Sequence, residues 1–489
     1  MSKGRVRRLH ISWHITWAAF GVVAGAALAL AMPVAVFAHG TWLLLAMALL
    51  LVVGIRRSSW LVVAALLAGL LIGVWRGASE RQALQVYIPF YGQTITLGGI
   101  IAEDTNYGPH GDQRLRLRSV QINSQAMPAT VWVSTVSSAQ LKRGDAVIVR
   151  GRLGEGFGTL PASMFRAELV ATHPPRPPDV ARVVRDWFAT SIRRAVPEPQ
   201  ASLGVGYLVG QRSALPEALE QQLRIVGLTH VVVASGYNLT ILVGVARRLL
   251  APISKYLATL TGALLIGSFM LVTGFSPSMT RAGLVSGLSL AAWYYGRKMH
   301  PLVLLPFAAA VTVLAHPAYV WGDLGWYLSF AAFSGVIVLA PLLHRYFWGR
   351  AQPNIARQII VDTCAAQLMT TPIILFAFGT YSIYALPANV LVLPLVPLAM
   401  LGTFFAGAGA AAVPGAAAFF GWPATLLLQC NTAVVSWLAG LPGAQGEVHV
   451  LAPLLVLSYI ILVAGAYGLW RVTKYRFRED SFDMPGNSR

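Results

Sequence analysis

Acidic residues are scarce in this chain: Asp and Glu number 18 in 489 residues against 37 Lys and Arg, and charged residues make up only 11 % of the total. A sequence this poor in charge and 56 % hydrophobic cannot cover a soluble fold of its size with solvated side chains. Its apolar runs recur at about 20 residues, the length that crosses a bilayer. An ordinary soluble protein is thereby excluded, and a polytopic membrane protein is expected. Cysteine is also rare: Cys364 and Cys430 both fall inside apolar segments. A disulfide framework in an external domain would place them in polar sequence, so they read as packing residues. The histidines are scattered without an HxH or HExxH cluster, so no metal site is expected. A GxSxG nucleophile turn and a Gly-rich GK[ST] loop are both missing, so hydrolytic and nucleotide-driven chemistry have no signature. The sequence therefore predicts neither an enzyme nor a bound cofactor.

The formal charge of +19 partly reflects the Lys and Arg that gather on the cytoplasmic side of inner-membrane proteins, so its placement matters more than its size. Three spans are expected at about 11–30, 41–53 and 60–75, with Arg56 and Arg57 between the second and third. The basic N-terminus and the Arg56 loop belong inside, which sends the chain after Trp75 outside. Gly21 and Gly25 form a GxxxG spacing, a packing device of membrane helices. Beyond Gly227 nine further spans are expected, at about 228–246, 256–274, 278–296, 301–315, 326–343, 358–378, 386–408, 416–440 and 450–470. Basic residues punctuate alternate loops (Arg247, Arg248 and Lys255; Arg297 and Lys298; Arg345, Arg350 and Arg357; Arg471, Lys474, Arg476 and Arg478). This pattern suits about twelve spans in a cytoplasmic membrane with both termini in the cytoplasm.

Between 92 and 172 the composition changes to a polar, Gly-rich pattern with alternation of period two, as in Gln113-Arg114-Leu115-Arg116-Leu117-Arg118 and Ala146-Val147-Ile148-Val149-Arg150-Gly151-Arg152. About five half-buried strands in roughly 80 residues predict a small, OB-like barrel outside the membrane. Arg114, Arg116 and Arg118 share one strand face, opposite Leu115 and Leu117. Three guanidiniums in a row suit a phosphate backbone, and Tyr107, Trp132, Phe157 and Phe165 offer stacking surfaces. Lys142, Arg143, Arg150 and Arg152 extend this candidate DNA-binding set. The plainer reading is a solvated strand face: eight cations and six carboxylates leave the segment at only +2, and a basic patch requires clustering.

The expected organisation is thus N-terminal transmembrane helices over 1–91, the external barrel over 92–172, and a linker with an interfacial helix over 173–200. A transmembrane domain over 201–471 and a short cytoplasmic tail over 472–489 complete it. His173-Pro-Pro-Arg-Pro-Pro is stiff linker sequence, and 179–196 carries apolar residues at helical spacing against arginines. Short apolar pieces between 203 and 226 suggest broken or re-entrant elements.

The stretch Gly227–Arg248 is apolar yet carries His230, Ser235, Gly236, Asn238 and Thr240. Polar groups at membrane depth need partners or water. Ser235-Gly236 favours a helix break, which would turn backbone dipoles and the N-terminal end of the following half-helix toward an anionic substrate. Arg281 and Asp323, both near predicted outer ends, either pair with each other or line a polar route, and Ser329 lies close to Asp323 in sequence.

With these residues in view the chain resembles the ComEC family, the inner-membrane channel of bacterial natural transformation. The resemblance rests on Gly227-Leu228-Thr229-His230 with Ser235-Gly236, on Leu208-Val-Gly210-Gln-Arg212, and on Ser278-Met-Thr-Arg281-Ala282. Gly322-Asp323 before Leu328-Ser329-Phe330, Thr371-Pro372 with Phe378-Gly379, and Pro387-Ala-Asn389-Val-Leu391 complete it. Asn238 stands where the family has a second histidine, and Tyr327 where a glutamine is usual. The resemblance implies a channel for single-stranded DNA, with a DNA receptor and pilus delivering the substrate and a cytoplasmic motor supplying force. Many members carry a C-terminal metallo-β-lactamase-like domain that is not found in this sequence, so degradation of the other strand is expected from a separate nuclease or not at all. The competing expectation is a secondary transporter or lipid-handling membrane protein with an accessory β-domain, which would need a coupling carboxylate at midplane.

Overall fold

The computed structural model describes residues 10–56, 61–108, 111–137, 139, 141–175, 179–211, 215–232, 236–274, 277–296, 301–351, 354–448, 450–475 and 477. They form two compact units, Met1–Pro177 with Met299–Tyr327 and Pro178–Lys298 with Leu328–Arg489.

The first unit opens with helices α1 (Ile11–Leu28), α2 (Val34–Phe37), α3 (Thr41–Arg56) and α4 (Val62–Leu84), and α4 continues through a tight turn to Phe90. Helices α1 and α4 touch backbone to backbone. A Cβ on Gly21 or Gly25 would run into the carbonyls of Leu66 and Leu70, and one on Gly69 or Gly73 into those of Ala18 and Val22. Lipid tails give helices no hydrophobic reason to associate, so such close packing supplies the contact. The GxxxG spacing read from Gly21 and Gly25 therefore has a counterpart, Gly69 and Gly73, on the facing helix.

Seven strands follow: β1 (Thr94–Ile101), β2 (Asn106–Tyr107), β3 (Gln113–Ile122), β4 (Gln125–Ala126), β5 (Val131–Thr135), β6 (Ala146–Glu155) and β7 (Ala162–His173). Strand β1 pairs antiparallel with β3 and β6, β3 with β5, and β6 with β7, while β5 and β7 pair in parallel. The five long strands therefore close in the order 1-2-3-5-4-1, the connectivity of an OB-type barrel. Leu97, Ile101, Leu115, Leu117, Val131, Val149, Leu153 and Met164 fill its interior. The expected inward and outward alternation of 113–118 is the observed one.

The second unit begins with α5 (Val180–Ala195), α6 (Gln200–Val209), α7 (Glu217–Ile225), α8 (Thr229–Val232), α9 (Gly236–Leu250), α10 (Lys255–Thr273) and α11 (Pro277–Tyr294). Asp179 caps α5 by accepting the Arg182 N–H at 3.1 Å. Val180, Val183, Val184 and Trp187 are exposed on α5, whereas Phe188 and Ile192 approach Gly407 and Arg185 is buried beside Asp186 at 3.2 Å. An apolar face turned outward on a short polar helix suits the expected interfacial position.

The chain then returns to the first unit as α12 (Pro301–Ala315) and α13 (Tyr319–Gly322). Arg76 on α4 donates to the carbonyls of Leu314 at 2.9 Å and Ala315 at 3.1 Å, and Trp321 donates to that of Ala26 at 2.8 Å. These bonds explain why 299–327 groups with the N-terminal helices and not with the 201–471 segment in which the sequence reading placed it.

The remaining helices are α14 (Leu324–Ser334), which passes through a π-helical turn into α15 (Ala340–Trp348), then α16 (Ile355–Phe378), α17 (Ala385–Val392), α18 (Val396–Ala412), α19 (Ala417–Ala439) and α20 (Ala452–Thr473). A short ribbon joins β8 (Thr380–Ser382) to β9 (Gln445–Glu447).

Among the described residues seven helices are long and apolar enough to span a membrane, or eight if α17 and α18, bent by 49°, count as one. The protein is thus a multi-pass membrane protein, and the expected figure of twelve is larger than this count for local reasons. The segments at 41–53 and 301–315 are short helices, 278–296 forms α11, which is not among those long and apolar enough, and residues 233–235 within 228–246 lie outside the described residues.

Candidate nucleic-acid interface and polar core

Arg114, Arg116 and Arg118 stand exposed on the outer face of β3. The pairing of β3 with β5 sets Arg116 opposite Trp132, and that of β2 with β3 sets Tyr107 opposite Gln113 at the end of the stripe. Trp132 in turn packs its ring 5.5 Å from Phe157 and 4.8 Å from Phe165, and Tyr107, Phe157 and Phe165 are all exposed. Arg116, Trp132, Phe157 and Phe165 thus share one side of the barrel, built from the second, third and fifth long strands and the connection before the fifth, whereas Tyr107, opposite the inward-facing Gln113, does not share the arginine face. Oligonucleotides bind OB-folds on that surface.

Its electrostatics are weaker than the arginine count alone implies. Arg114 pairs with Asp112 at 3.2 Å and Arg116 with Glu103 at 3.4 Å, whereas Arg118 makes no ion pair among the described residues. Both pairs are exposed, and such pairs are worth about 0–1 kcal/mol, so a phosphate can displace the carboxylate at little cost.

The other predicted cations separate from this face. Arg150 and Arg152 lie on β6, where Arg150 faces Glu168 and Arg152 donates from Nε to the Gly92 carbonyl at 3.1 Å. Lys142 is exposed, but Arg143 is only 7 % accessible and cannot meet a strand from outside. It belongs to a packed turn with Leu141 and Asp145, in which the Asp145 carboxylate accepts the Lys142 N–H at 2.9 Å. Arg152 helps line a groove with Tyr91, Glu155 and Phe165. Burial, and then the Glu155 carboxylate, push the Tyr91 phenol up, so its hydroxyl stays protonated and donates to the Pro161 carbonyl at 2.7 Å.

In the helical unit the break expected at Ser235-Gly236 falls on residues 233–235, which lie outside the described residues, between α8 and α9. Arg212 lies outside them as well. Asn238 is fully buried, and its Nδ2 donates to the Tyr207 carbonyl at 3.0 Å, tying α9 to α6. The hydrogen bond that Asn offers at this position is therefore made. The Tyr207 side chain is itself buried and approaches Asn431 on α19. Gly227, at φ +72°, lets the turn before α8 press on Ala385 of α17, where Asn389 donates to the Ala385 carbonyl at 2.8 Å. Sequence pieces 150 residues and more apart thus meet in one core that includes Leu208, Leu228, Val231, Ala388 and Val392.

Other predicted residues stand apart from that core. Thr240 is exposed and only bonds back to the Gly236 carbonyl at 2.8 Å, and His230 is exposed on α8. No cluster of His, Cys, Asp or Glu that could hold a metal occurs among the described residues. Gly236 abuts Ala282 of α11, next to Arg281, which is buried with its guanidinium 6.0 Å from the Phe330 ring centroid. Ser329 is half-buried on α14. Asp323 serves as a helix cap, its carboxylate accepting the Trp326 N–H, and makes no ion pair among the described residues. Sequence reasoning missed Tyr207 and Asn431. The available signal was Asn431 in a largely apolar run, an amide that needs a partner at membrane depth.

Residues 207–473 match the family described as Competence protein. ComE operon protein 3 of Bacillus subtilis (strain 168) is 25 % identical over 213 residues, covering 43 % of this chain and 26 % of that protein. Competence protein ComA of Neisseria gonorrhoeae is 29 % identical over 245 residues, covering 46 % of this chain and 33 % of that protein. The matched part thus spans a third or less of the length of these relatives. No solved structure gives a significant match.

Proposed function

We propose that this chain, which belongs to the ComEC family of competence proteins, carries single-stranded DNA across the cytoplasmic membrane. The barrel engages the strand outside, and the helical unit passes it beside the helix break expected at Ser235-Gly236. The observation that carries this reading is the register pairing of Arg116 with Trp132, with Phe157 and Phe165 packed against the same tryptophan edge-on and tilted. Guanidiniums take phosphates while rings take bases, a combination that tolerates any sequence because every base has a π-face. The helical unit adds a polar core in an otherwise apolar bundle, where Asn238 fixes the start of α9 and Gly236 brings it against α11. A coupled transporter would use a midplane carboxylate, but Asp323 is engaged in capping α14, and Asp362 lies in the first half of α16, toward its cytoplasmic end in this reading.

In this reading the chain performs no chemistry of its own. Both termini face the cytoplasm, following the distribution of Lys and Arg. A receptor and pilus present the DNA, and a cytoplasmic motor draws it in.

The test replaces Arg114, Arg116 and Arg118 together by Ala in the full-length chain held in lipid nanodiscs, with an oligothymidylate as probe. Binding is expected to weaken about a hundredfold at low salt. The slope of log affinity against log salt should fall by about 2, the contribution of three phosphate contacts to a single strand. Unchanged affinity and slope would remove the barrel from the DNA path.

A further inference from the structure

A second basic and aromatic surface lies where α9, α10 and α11 meet. Helix α9 closes with Arg247 and Arg248, α10 opens at Lys255, and α11 ends in Trp293 and Tyr294 before Tyr295. The Arg247 guanidinium sits 5.4 Å from the Trp293 ring centroid, and the Lys255 ammonium 5.8 Å from Trp293 and 5.5 Å from Tyr294. Ser254, Lys255, Tyr256, Tyr294, Tyr295 and Gly296 line an open cavity of about 580 Å³. Tyr256 and Tyr295 are 68 % and 73 % exposed. No Asp or Glu occurs in the sequence between Glu220 and Asp323. None of Arg247, Arg248 and Lys255 pairs with a carboxylate among the described residues.

We infer that this surface is a landing platform for the single strand as it leaves the helical unit. The inference rests on the channel reading above, and the Lys and Arg distribution puts the platform on the cytoplasmic side. Unopposed cations create a positive field over the cavity, and a polyanion is the partner whose charge complements it. Exposed tyrosine rings beside those cations add stacking partners for bases. An aromatic and basic belt at a lipid interface shares this composition. It does not require cations seated on ring faces around an open cavity, and the favoured occupant is therefore the nucleic acid.

Two measurements on the full-length protein test the platform. With the three barrel arginines already replaced, Tyr295→Ala with Lys255→Gln is expected to weaken the remaining binding of a fluorescent oligothymidylate in zwitterionic nanodiscs about tenfold, the effect of losing one stacked base. Tyr295→Phe, which keeps the ring, should retain it. Both side chains are exposed, so folding is not at stake. In cells taking up DNA, a photo-crosslinking amino acid at position 295 is expected to capture the incoming strand. Crosslinks to lipid alone, with oligonucleotide binding unchanged, would overturn the platform. If uptake proceeds while position 295 never captures DNA, the platform fails and the channel stands. If a crosslinker at position 132 captures DNA but none becomes protected inside the cell, the channel reading fails and takes the platform with it.

Discussion

The barrel face and the platform at the ends of α9, α10 and α11 are made of the same parts and differ in one. Each sets cations beside aromatic rings, but on the barrel two of three arginines already hold carboxylates, Asp112 and Glu103. On the platform none of the cations pairs with a carboxylate among the described residues. Acid neighbours lower the local field, so on the barrel the stacked rings supply a larger share of any affinity for a strand, and release stays easy. An acid-free surface draws phosphate from further away, over a distance set by the Debye length, about 8 Å at physiological salt. The difference teaches that counting arginines does not rank anion sites and that their existing partners must be counted too.

The comparison can be broken at its strongest point by Trp132→Ala, which removes the ring that Phe157 and Phe165 pack against. Strand binding by the full-length protein should fall about tenfold or more with little change in its salt slope, since stacking carries no counterion release. A loss confined to low salt would mean that charge, not stacking, dominates the barrel. A smaller effect comes from making the platform resemble the barrel. Ser254 caps α10 by accepting the Leu257 N–H at 3.3 Å, and Asp caps as well as Ser, so Ser254→Asp adds a carboxylate beside Lys255 without unseating the helix. Oligothymidylate binding at the platform, measured with the barrel arginines replaced, should drop about threefold. The smallest shift is the reverse exchange. Glu103→Gln with Asp112→Asn frees Arg114 and Arg116, and affinity should rise about twofold to threefold, in line with the small worth of exposed pairs. No gain, measured by titration at low salt, would show that those carboxylates never competed with phosphate.

Much of the barrel was legible because alternation of period two states which face of a strand is buried, and Leu115 and Leu117 read inward with Arg114, Arg116 and Arg118 outward as a result. The partners of those arginines were not legible. Asp112 is close in sequence, but Glu103 reaches Arg116 only through the connection between β1 and β3. Arg143 looked like one more surface cation because burial of a turn depends on what folds over it. In the helical unit the polar span after Gly227 stood out by composition, and Asn238 within it is buried and hydrogen-bonded. Its partners Tyr207 and Asn431 come from α6 and α19, and pairing across so many residues has no local signal. The GxxxG at Gly21 was visible, whereas its match to Gly69 and Gly73 required the two helices to be seen side by side.

That interlock has a consequence for the direction in which the barrel points. Residues 62–90 run without a gap from the glycine contacts to the edge of β1, and at 1.5 Å per residue such a helix is roughly 43 Å long, beyond the ~30 Å of a hydrocarbon core. A helix gripped at one end and fused to a barrel at the other behaves as a keyed screw. Each residue added between Trp75 and Leu84 would advance the barrel by ~1.5 Å and rotate it by about 100°. Three or four residues would bring it back to within about 60° of its heading and one or two would not, so the azimuth of the arginine stripe is a counted quantity, set by chain length and not by any side chain on the stripe itself.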